Sequence, residues 1–270
     1  MKNFPKVSVI IPTYNRADLL PRALNSVLNQ TFQDFELIIV DDGSTDNTKQ
    51  VVEEFQKKDE RIKYIWQKNS GGPAKPKNTG IKNSQGEFIA FLDDDDEWLP
   101  EKLETQLNKI EENDYDIFFS NWYLWNPETN QKNKAFNFNP LNNKKDLFKI
   151  FIKRNIGNPS TVIIKKAKLE KIGYFDEKLK PSEDYDLWLR FILNNARVGF
   201  SEEPLYLYRQ HIKQMSSNQY IMRTSRLKVF YKIIKKHPGY LIKYPILTKK
   251  IFLLQSYKLF YDFLKLFKNK

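Results

Sequence analysis

Five apolar residues, Phe88 to Leu92, run directly into four consecutive aspartates, Asp93 to Asp96, in the stretch EFIAFLDDDDEW. An uninterrupted apolar run bounded by Gly86 on one side and by charge on the other suits a strand buried on both faces, as in a parallel sheet. Its carboxyl end is then a cluster of carboxylates, and in an open α/β sheet that end is where ligands bind. Four adjacent acids repel one another unless a cation or hydrogen-bond donors offset the charge, so a hard divalent metal with phosphate oxygens is a natural partner. The competing reading is a solvated acidic loop that opens a helix: Trp98-Leu99-Pro100-Glu101 has the form of a helix start, with Asp96 and Glu97 as first-turn acids.

The preceding chain bears on that choice. Val7 to Ile11 (VSVII) is a short β-branched run followed by the loop Pro12-Thr13-Tyr14-Asn15-Arg16. Leu19, Leu20, Ala23, Leu24, Val27 and Leu28 then recur at helical spacing between Asp18 and Gln30. A second apolar strand, Phe35 to Val40, ends in Asp41-Asp42-Gly43-Ser44-Thr45-Asp46, and a helix is expected over about Thr45 to Lys58. Ile62 to Trp66 suits a third strand, and Ala74 to Asn83 a helix after Gly71-Gly72-Pro73. Strands alternating with helices of this length indicate βαβ units and a mainly parallel sheet. Three strands thus deliver polar loops, 12–16, 41–46 and 93–96, to one edge, the arrangement a nucleotide site on an open sheet requires. Neither G-x-G-x-x-G nor G-x-x-x-x-G-K-[ST] occurs, so no glycine-rich loop cradles the phosphates and a metal on the acids must offset their charge.

Farther on, a helix over Leu99 to Glu112 and a strand over Ile117 to Ser120 are expected, then a hairpin or variable loop over Asn121 to Asn143. A short helix (Asp146 to Arg154) and a strand (Thr161 to Ile164) follow. Ser182 has the form of an N-cap for a helix whose apolar stripe is Leu187, Trp188, Phe191 and Ile192, with Glu183 and Asp184 in its first turn.

With no cysteine in the chain, thiolate metal sites and disulfides are excluded and any metal must sit on oxygen or histidine. Residues 1–220 are electrically balanced, 32 bases against 32 acids, whereas residues 221–270 hold 13 bases and the single acid Asp262. A neutral body with a basic tail argues for an oppositely charged surface anchor rather than a nucleic-acid partner. Within the tail, Phe252, Leu259, Phe263, Leu266 and Phe267 share one helical face and Lys250, Lys258 and Lys265 the other. Such a helix either lies on an anionic bilayer or packs on the domain or a second subunit. The start of the chain, Met1-Lys2-Asn3-Phe4-Pro5, leads into a short strand without a small-residue cleavage site, so no signal peptide is expected. Nor does any stretch reach the ~18 uninterrupted apolar residues of a membrane span.

VSVIIPTYNR, FELIIVDDGSTDNT, GGPAKPKNTGI and GEFIAFLDDDDEWL, in that order and spacing, resemble the nucleotide-sugar-binding half of a family 2 inverting glycosyltransferase of the GT-A fold, of the kind that builds bacterial surface polysaccharides. The similarity is close over residues 5–125 and looser to 216. It implies an α/β, Rossmann-like, mainly parallel sheet flanked by helices. It further implies a GT-A domain over 1–216, with a nucleotide-sugar half (1–125) and an acceptor half (126–216), ahead of a helical basic extension over 217–270.

Carried over by position, the resemblance puts Pro12, Thr13, Tyr14 and Arg16 in the loop that packs the nucleotide base, where an aromatic face suits stacking. Asp42 matches the acid that accepts a hydrogen bond from the base; its other reading is an Asx turn or helix cap, the role expected of Ser44 and Asp46. Asp95 resembles the direct Mn²⁺ or Mg²⁺ ligand of a D-x-D motif, with Asp93 and Asp94 toward ribose and sugar. Lys77 stands where the family usually shows arginine; with Asn78 it is assigned to donor contacts, as a point charge without a bidentate fork.

The second acid of the Glu183-Asp184 pair matches the family's catalytic base, with Glu183 in support, although both acids also simply complement a helix N-terminus. An inverting transfer needs one carboxylate in reach of the acceptor hydroxyl, and the helix N-terminus is expected to keep it ionised. His211 matches a loop that closes over the diphosphate, where it either completes the metal shell or is an ordinary surface residue. Together these imply transfer from a UDP-hexose or UDP-N-acetylhexosamine to a bacterial glycan or its lipid-linked precursor, in the cytoplasm at the inner face of the cell membrane. A sugar-phosphate nucleotidyltransferase and a non-catalytic nucleotide-sugar-binding module are the alternatives, the first disfavoured because PTYNR is not a glycine-rich, basic phosphate loop.

Overall fold

The computed structural model describes residues 4–137, 147–153, 155–210 and 218–243, with scattered positions as far as 257. The first half is a run of strand and helix: β1 (Val7–Thr13), α1 (Leu20–Leu28), β2 (Phe35–Asp41), α2 (Thr48–Gln56), β3 (Ile62–Trp66), α3 (Ala74–Asn83) and β4 (Phe88–Phe91). These four strands lie parallel in the order β3-β2-β1-β4, with β1 paired to both β2 and β4. Alternate residues serve opposite faces of the sheet, as a period of two requires. Ile10, Ile38, Val40, Ile89 and Phe91 belong to one buried cluster. Val9, Ile11, Leu37, Ile39, Ala90 and Leu92 belong to the other. On the second face α1 supplies Leu20, Leu24 and Val27. On the first, α3 lies so close to β1 that a Cβ at Gly80 would sit 2.4 Å from Ile10 Cγ2, which explains a glycine inside a helix.

The second half is mixed. It contains β5 (Glu97–Trp98), α4 (Lys102–Glu112), β6 (Ile117–Asn126), β7 (Gln131–Lys134), α5 (Leu147–Lys153), β8 (Val162–Lys165), α6 (Lys166–Ile172), α7 (Glu183–Leu193) and β9 (Val198–Arg209). The sheet continues from β4 through β8, β6 and β9 to β5, with β7 paired to β6. Here β8 is antiparallel to β4 and to β6, β9 is parallel to β6, and β5 is antiparallel to β9. The sheet is thus mainly parallel, as expected: wholly so in its first half, and through the long β6–β9 pairing in its second.

Three expectations are corrected. The helix expected from Leu99 begins at Lys102, and Glu97 lies in β5, so Asp96 and Glu97 are not first-turn acids. The strand expected to end at Ser120 runs on to Asn126 and turns at Pro127 into β7, so the hairpin reading of this stretch applies, and residues 138–146 lie outside the described residues. Ser182 has left-handed backbone (φ 75°) and its hydroxyl makes no capping bond to α7.

A last pair of helices, α8 (Gln219–Lys236) and α9 (Gly239–Lys243), follows the boundary expected at 216 and 217. The first of them packs into the same core, burying Val229, Phe230 and Ile233. Lys232 there reaches Asp176 and Asp186 at 2.6 and 2.8 Å. The amphipathic face expected over Lys249 to Lys268 lies outside the described residues except for isolated positions. Among the described residues no helix is long and apolar enough to cross a membrane.

One buried cation answers no acid. Lys102 is fully buried, with its ammonium 4.1 Å over the Trp98 ring and donating to Gln106 Oε1 at 2.5 Å, and burial holds its pKa well below the ordinary lysine range. The unfolded chain therefore binds a proton that the folded chain resists, and stability is lost as pH falls from the ordinary lysine value through the depressed one. We expect Lys102→Met to raise the free energy of unfolding at pH 7 by about 1 kcal/mol or more. In urea titrations the advantage should shrink as pH approaches 10; equal or lower stability of the variant at pH 7 would show that the amine is no burden.

Candidate active site

The carboxyl edge of the parallel strands is knitted together by a chain of contacts. Asp42 N–H donates to Thr13 O at 2.9 Å, and Asn15 N–H to Ser44 Oγ at 2.8 Å, which fastens the loop after β1 to that after β2. Asn15 takes left-handed backbone there (φ 52°), a conformation asparagine tolerates better than most residues. Arg16 Nε lies 3.7 Å from Asp94 Oδ1, so the first loop also reaches the acids after β4. From α3, the buried Lys77 places Nζ 3.8 Å from Asp93 Oδ1 and 2.9 Å from Glu183 Oε1 at the start of α7. Asp42, the aspartate run and Asp184 are thereby connected along one edge.

Each predicted residue occupies a definable place. Tyr14 is 47% exposed at the end of β1, an open ring. The Asp42 carboxylate is buried and accepts from Gln67 Nε2 (2.5 Å), Ser70 N–H (3.0 Å) and Ser70 Oγ (2.8 Å), so it anchors the segment after β3 rather than a helix end. Capping falls to Asp46, which accepts from Thr48 N–H at 3.0 Å and Ala17 N–H at 3.1 Å. Asn78 is buried and its amide is taken up by the backbone of Phe175 in both directions (2.9 and 3.0 Å) and by Glu177 (2.9 Å). His211 lies outside the described residues.

Several residues that pattern reading did not find hold the acid turn. Ser160 Oγ donates to Asp96 Oδ2 at 2.8 Å and accepts from Asp93 N–H at 3.1 Å. Arg209 donates from its backbone to Asp96 Oδ1 (3.1 Å), from Nε to Asp95 O (3.1 Å) and from Nη2 to Glu97 Oε1 (2.9 Å). An Arg at the end of one strand and a Ser before another give no local signal of this, because the contacts span 64 to 114 residues of sequence.

The electrostatics follow from crowding. Burial, with the Asp95 charge adding to it, pushes Asp93 up to about 6 and Asp94 up to about 7; Lys77 partly offsets the first and Arg16 the second. Asp96 is raised well above the ordinary carboxylate range by burial and by Asp95 and Asp93. Burial alone would strip the proton from Lys77, but Glu183, Asp93 and Asp184 outweigh it and hold the amine above the ordinary lysine range. Burial and the adjacent Glu183 raise Asp184 to about 6 against the pull of Lys77 and the Tyr185 N–H, so the expected helix-terminus effect is outweighed. An oxygen-only set of mutually repelling carboxylates fits a hard divalent cation, which would relieve that repulsion. Among the described residues no three such side chains are grouped to enclose an ion.

Residues 8–173 match the family model described as glycosyl transferase family 2. An uncharacterized glycosyltransferase of Methanocaldococcus jannaschii is 34% identical over 238 residues, 86% of this chain and 79% of the relative. The GalNAc(5)-diNAcBac-PP-undecaprenol beta-1,3-glucosyltransferase of Campylobacter jejuni is 49% identical over 115 residues, 42% of this chain but only 37% of that protein. The crystal structure of S. aureus TarS 1-349 in complex with UDP-GlcNAc superposes with a TM-score of 0.66 and 31% identity, covering 82% of this chain and 65% of that one. The architecture is the GT-A arrangement expected from the four motifs.

Because Lys77 is the counter-charge of the buried Glu183 and also reaches the partly exposed Asp93, Lys77→Met should cost about 3–5 kcal/mol of unfolding free energy. A urea titration that finds a loss below about 1 kcal/mol would show that the acids are satisfied without it.

Proposed function

The chain belongs to glycosyl transferase family 2, and from that premise we propose that it transfers a hexose or N-acetylhexosamine from a nucleotide sugar to a glycan or lipid-linked saccharide, inverting the anomeric centre. The observation that supports the reading is the linkage from Thr13 and Asp42 through Arg16, Asp94, Asp93 and Lys77 to Glu183, the neighbour of Asp184 in the first turn of α7. UDP as the carrier is supported by the likeness to TarS, solved with UDP-GlcNAc. A lipid-linked acceptor is supported by the name of the Campylobacter relative.

In this reading the base stacks on Tyr14 beside Pro12 and Thr13, and Asp42 accepts from it, its carboxylate aimed by Gln67 and Ser70. Arg16, Asp93 and Asp94 face ribose and sugar. Lys77 and Asn78 serve the donor indirectly, Lys77 by holding Asp93 against Glu183 and Asn78 by fixing the Phe175 backbone. Asp95, joined by His211, would hold a Mn²⁺ or Mg²⁺ ion whose charge offsets that of the departing diphosphate.

Asp184 takes the proton of the acceptor hydroxyl as that oxygen bonds to the anomeric carbon and the carbon–oxygen bond to the diphosphate breaks, so the nucleoside diphosphate leaves with the bonding pair. The helix start fixes the base: Tyr185 N–H donates to Asp184 Oδ1 at 2.7 Å and Asn155 Nδ2 to Oδ2 at 3.3 Å. The bases of 221–270 suit an anionic membrane surface, which would keep the enzyme at the inner face of the cell membrane beside a lipid-linked acceptor.

Two outcomes test the reading. Asp184→Asn should cut transfer by about 10²–10⁴-fold while UDP binding, measured by calorimetry with Mn²⁺, is retained. Nucleotide binding without turnover in the unaltered chain would favour a binding module, and release of pyrophosphate a nucleotidyltransferase. Since Asp184 must be ionised to accept a proton and titrates at about 6, the rate should fall with unit slope below about pH 6 and level off above it. A profile flat down to pH 5 would remove Asp184 as the base.

A further inference from the structure

Beyond the acid turn the edge continues into a cleft of about 400 Å³ between α1 and β5, lined among others by Arg22, Asn25, Asn29, Glu97, Trp98 and Trp125. None of these was singled out for the transfer itself. The cleft is preformed. Trp98 N–H donates to Ser26 Oγ at 3.1 Å, Gln30 Nε2 to Leu99 O at 2.8 Å and Leu103 N–H to Gln30 Oε1 at 2.9 Å, which bolts α1 to the β5–α4 junction.

Its chemistry is specific. Arg22 and Glu97 stand 3.9 Å apart, so the opposing charges leave the cleft without a strong net sign. Asn25 on α1 and Asn29 just beyond its end, both exposed, present amides that donate and accept, while the half-buried Trp125 supplies aromatic surface and Trp98 lines the cleft from a buried position. Paired amides, a balanced ion pair and an indole ring suit a neutral polyhydroxylated ring, with hydroxyls for the amides and a C–H face for the indole. The volume lies within the range of about 300–1,000 Å³ typical of small-ligand sites.

We propose that this cleft is a second saccharide-binding site, taking a neutral hexosyl unit of the acceptor glycan away from the hydroxyl that reacts. Arg209 joins it to the acid turn, because the same guanidinium donates to Asp95 O and Glu97 Oε1 and lies 4.5 Å over the Trp125 ring. A glycan seated there is thus held against the wall that positions Asp95. The assignment to the acceptor rests on the proposed transfer, whereas the saccharide chemistry of the cleft does not.

The test is saturation-transfer NMR on the full chain with Mn²⁺ and UDP present, using the methyl β-glycosides of glucose, galactose and N-acetylglucosamine as probes. At least one should bind in the millimolar range, and N25A/N29A, two exposed positions, the first inside α1 where alanine favours the helix and the second just past its end, should weaken it by about fivefold or more. UDP affinity of that variant should stay within about twofold. Failure of all three probes to bind, or equal binding to the double variant, overturns the site. Should UDP itself not bind the unaltered chain, the donor reading falls, yet glycoside binding that N25A/N29A weakens still establishes the cleft.

Discussion

The ammonium of Lys77 is the interaction on which the rest of the site depends. A buried carboxylate without a counter-charge neutralises itself, and the edge of this sheet gathers Asp93, Asp94, Asp96, Glu183 and Asp184 into a small volume. Lys77 sits between the two halves of that crowd, one acid on the strand-and-helix half and one at the start of α7. A guanidinium would spread its charge over a wider fork; an ammonium concentrates it, and the burial of the side chain, with Nζ 5.5 Å from the Phe175 ring, leaves little freedom to move. The two halves of the site are therefore registered by a charge rather than by an apolar seam alone.

The same crowding sets the state of the base. A helix N-terminus favours an ionised carboxylate by a fraction of a kcal/mol up to about 2 kcal/mol, whereas desolvation next to a second acid works in the opposite direction and wins at Asp184. The outcome, about 6, leaves the group mostly ionised at neutral pH yet basic enough to accept a proton, which is the compromise a general base needs. Ser182 contributes by its backbone rather than its hydroxyl: its left-handed conformation turns the chain sharply into α7, so that Glu183 and Asp184 point from the first turn at once.

What the sequence disclosed and what it concealed divide along physical lines. Strands buried on both faces announce themselves as apolar runs, and β1, β2, β3 and β4 were all legible, as were the loops at their ends. The strand β9 was not, since SEEP interrupts its apolar residues and Ser201, Glu202 and Glu203 are left unburied in succession. Losing β9 meant losing Arg209 and the reason Glu97 belongs to a strand, because β5 exists only by pairing with Tyr206 and Leu207. Lys77 and Asn78 enter through the resemblance, as donor contacts; that they also hold Glu183 and Phe175 gives no local signal, because those partners lie about a hundred residues away.

The basic excess of the last fifty residues also changes meaning once packing is known. Lys232 is spent on Asp176 and Asp186, and Arg226 lies 5.9 Å over the Tyr185 ring, its charge acting on Asp184. Charge that looks like an anchor in the sequence is thus partly an internal counter-charge for α7, and α8 is a prop for the helix that carries the proposed base. If the remaining bases beyond α8 do serve the proposed membrane contact, that contact and the posture of Asp184 share one mechanical element, although they are encoded in different parts of the chain.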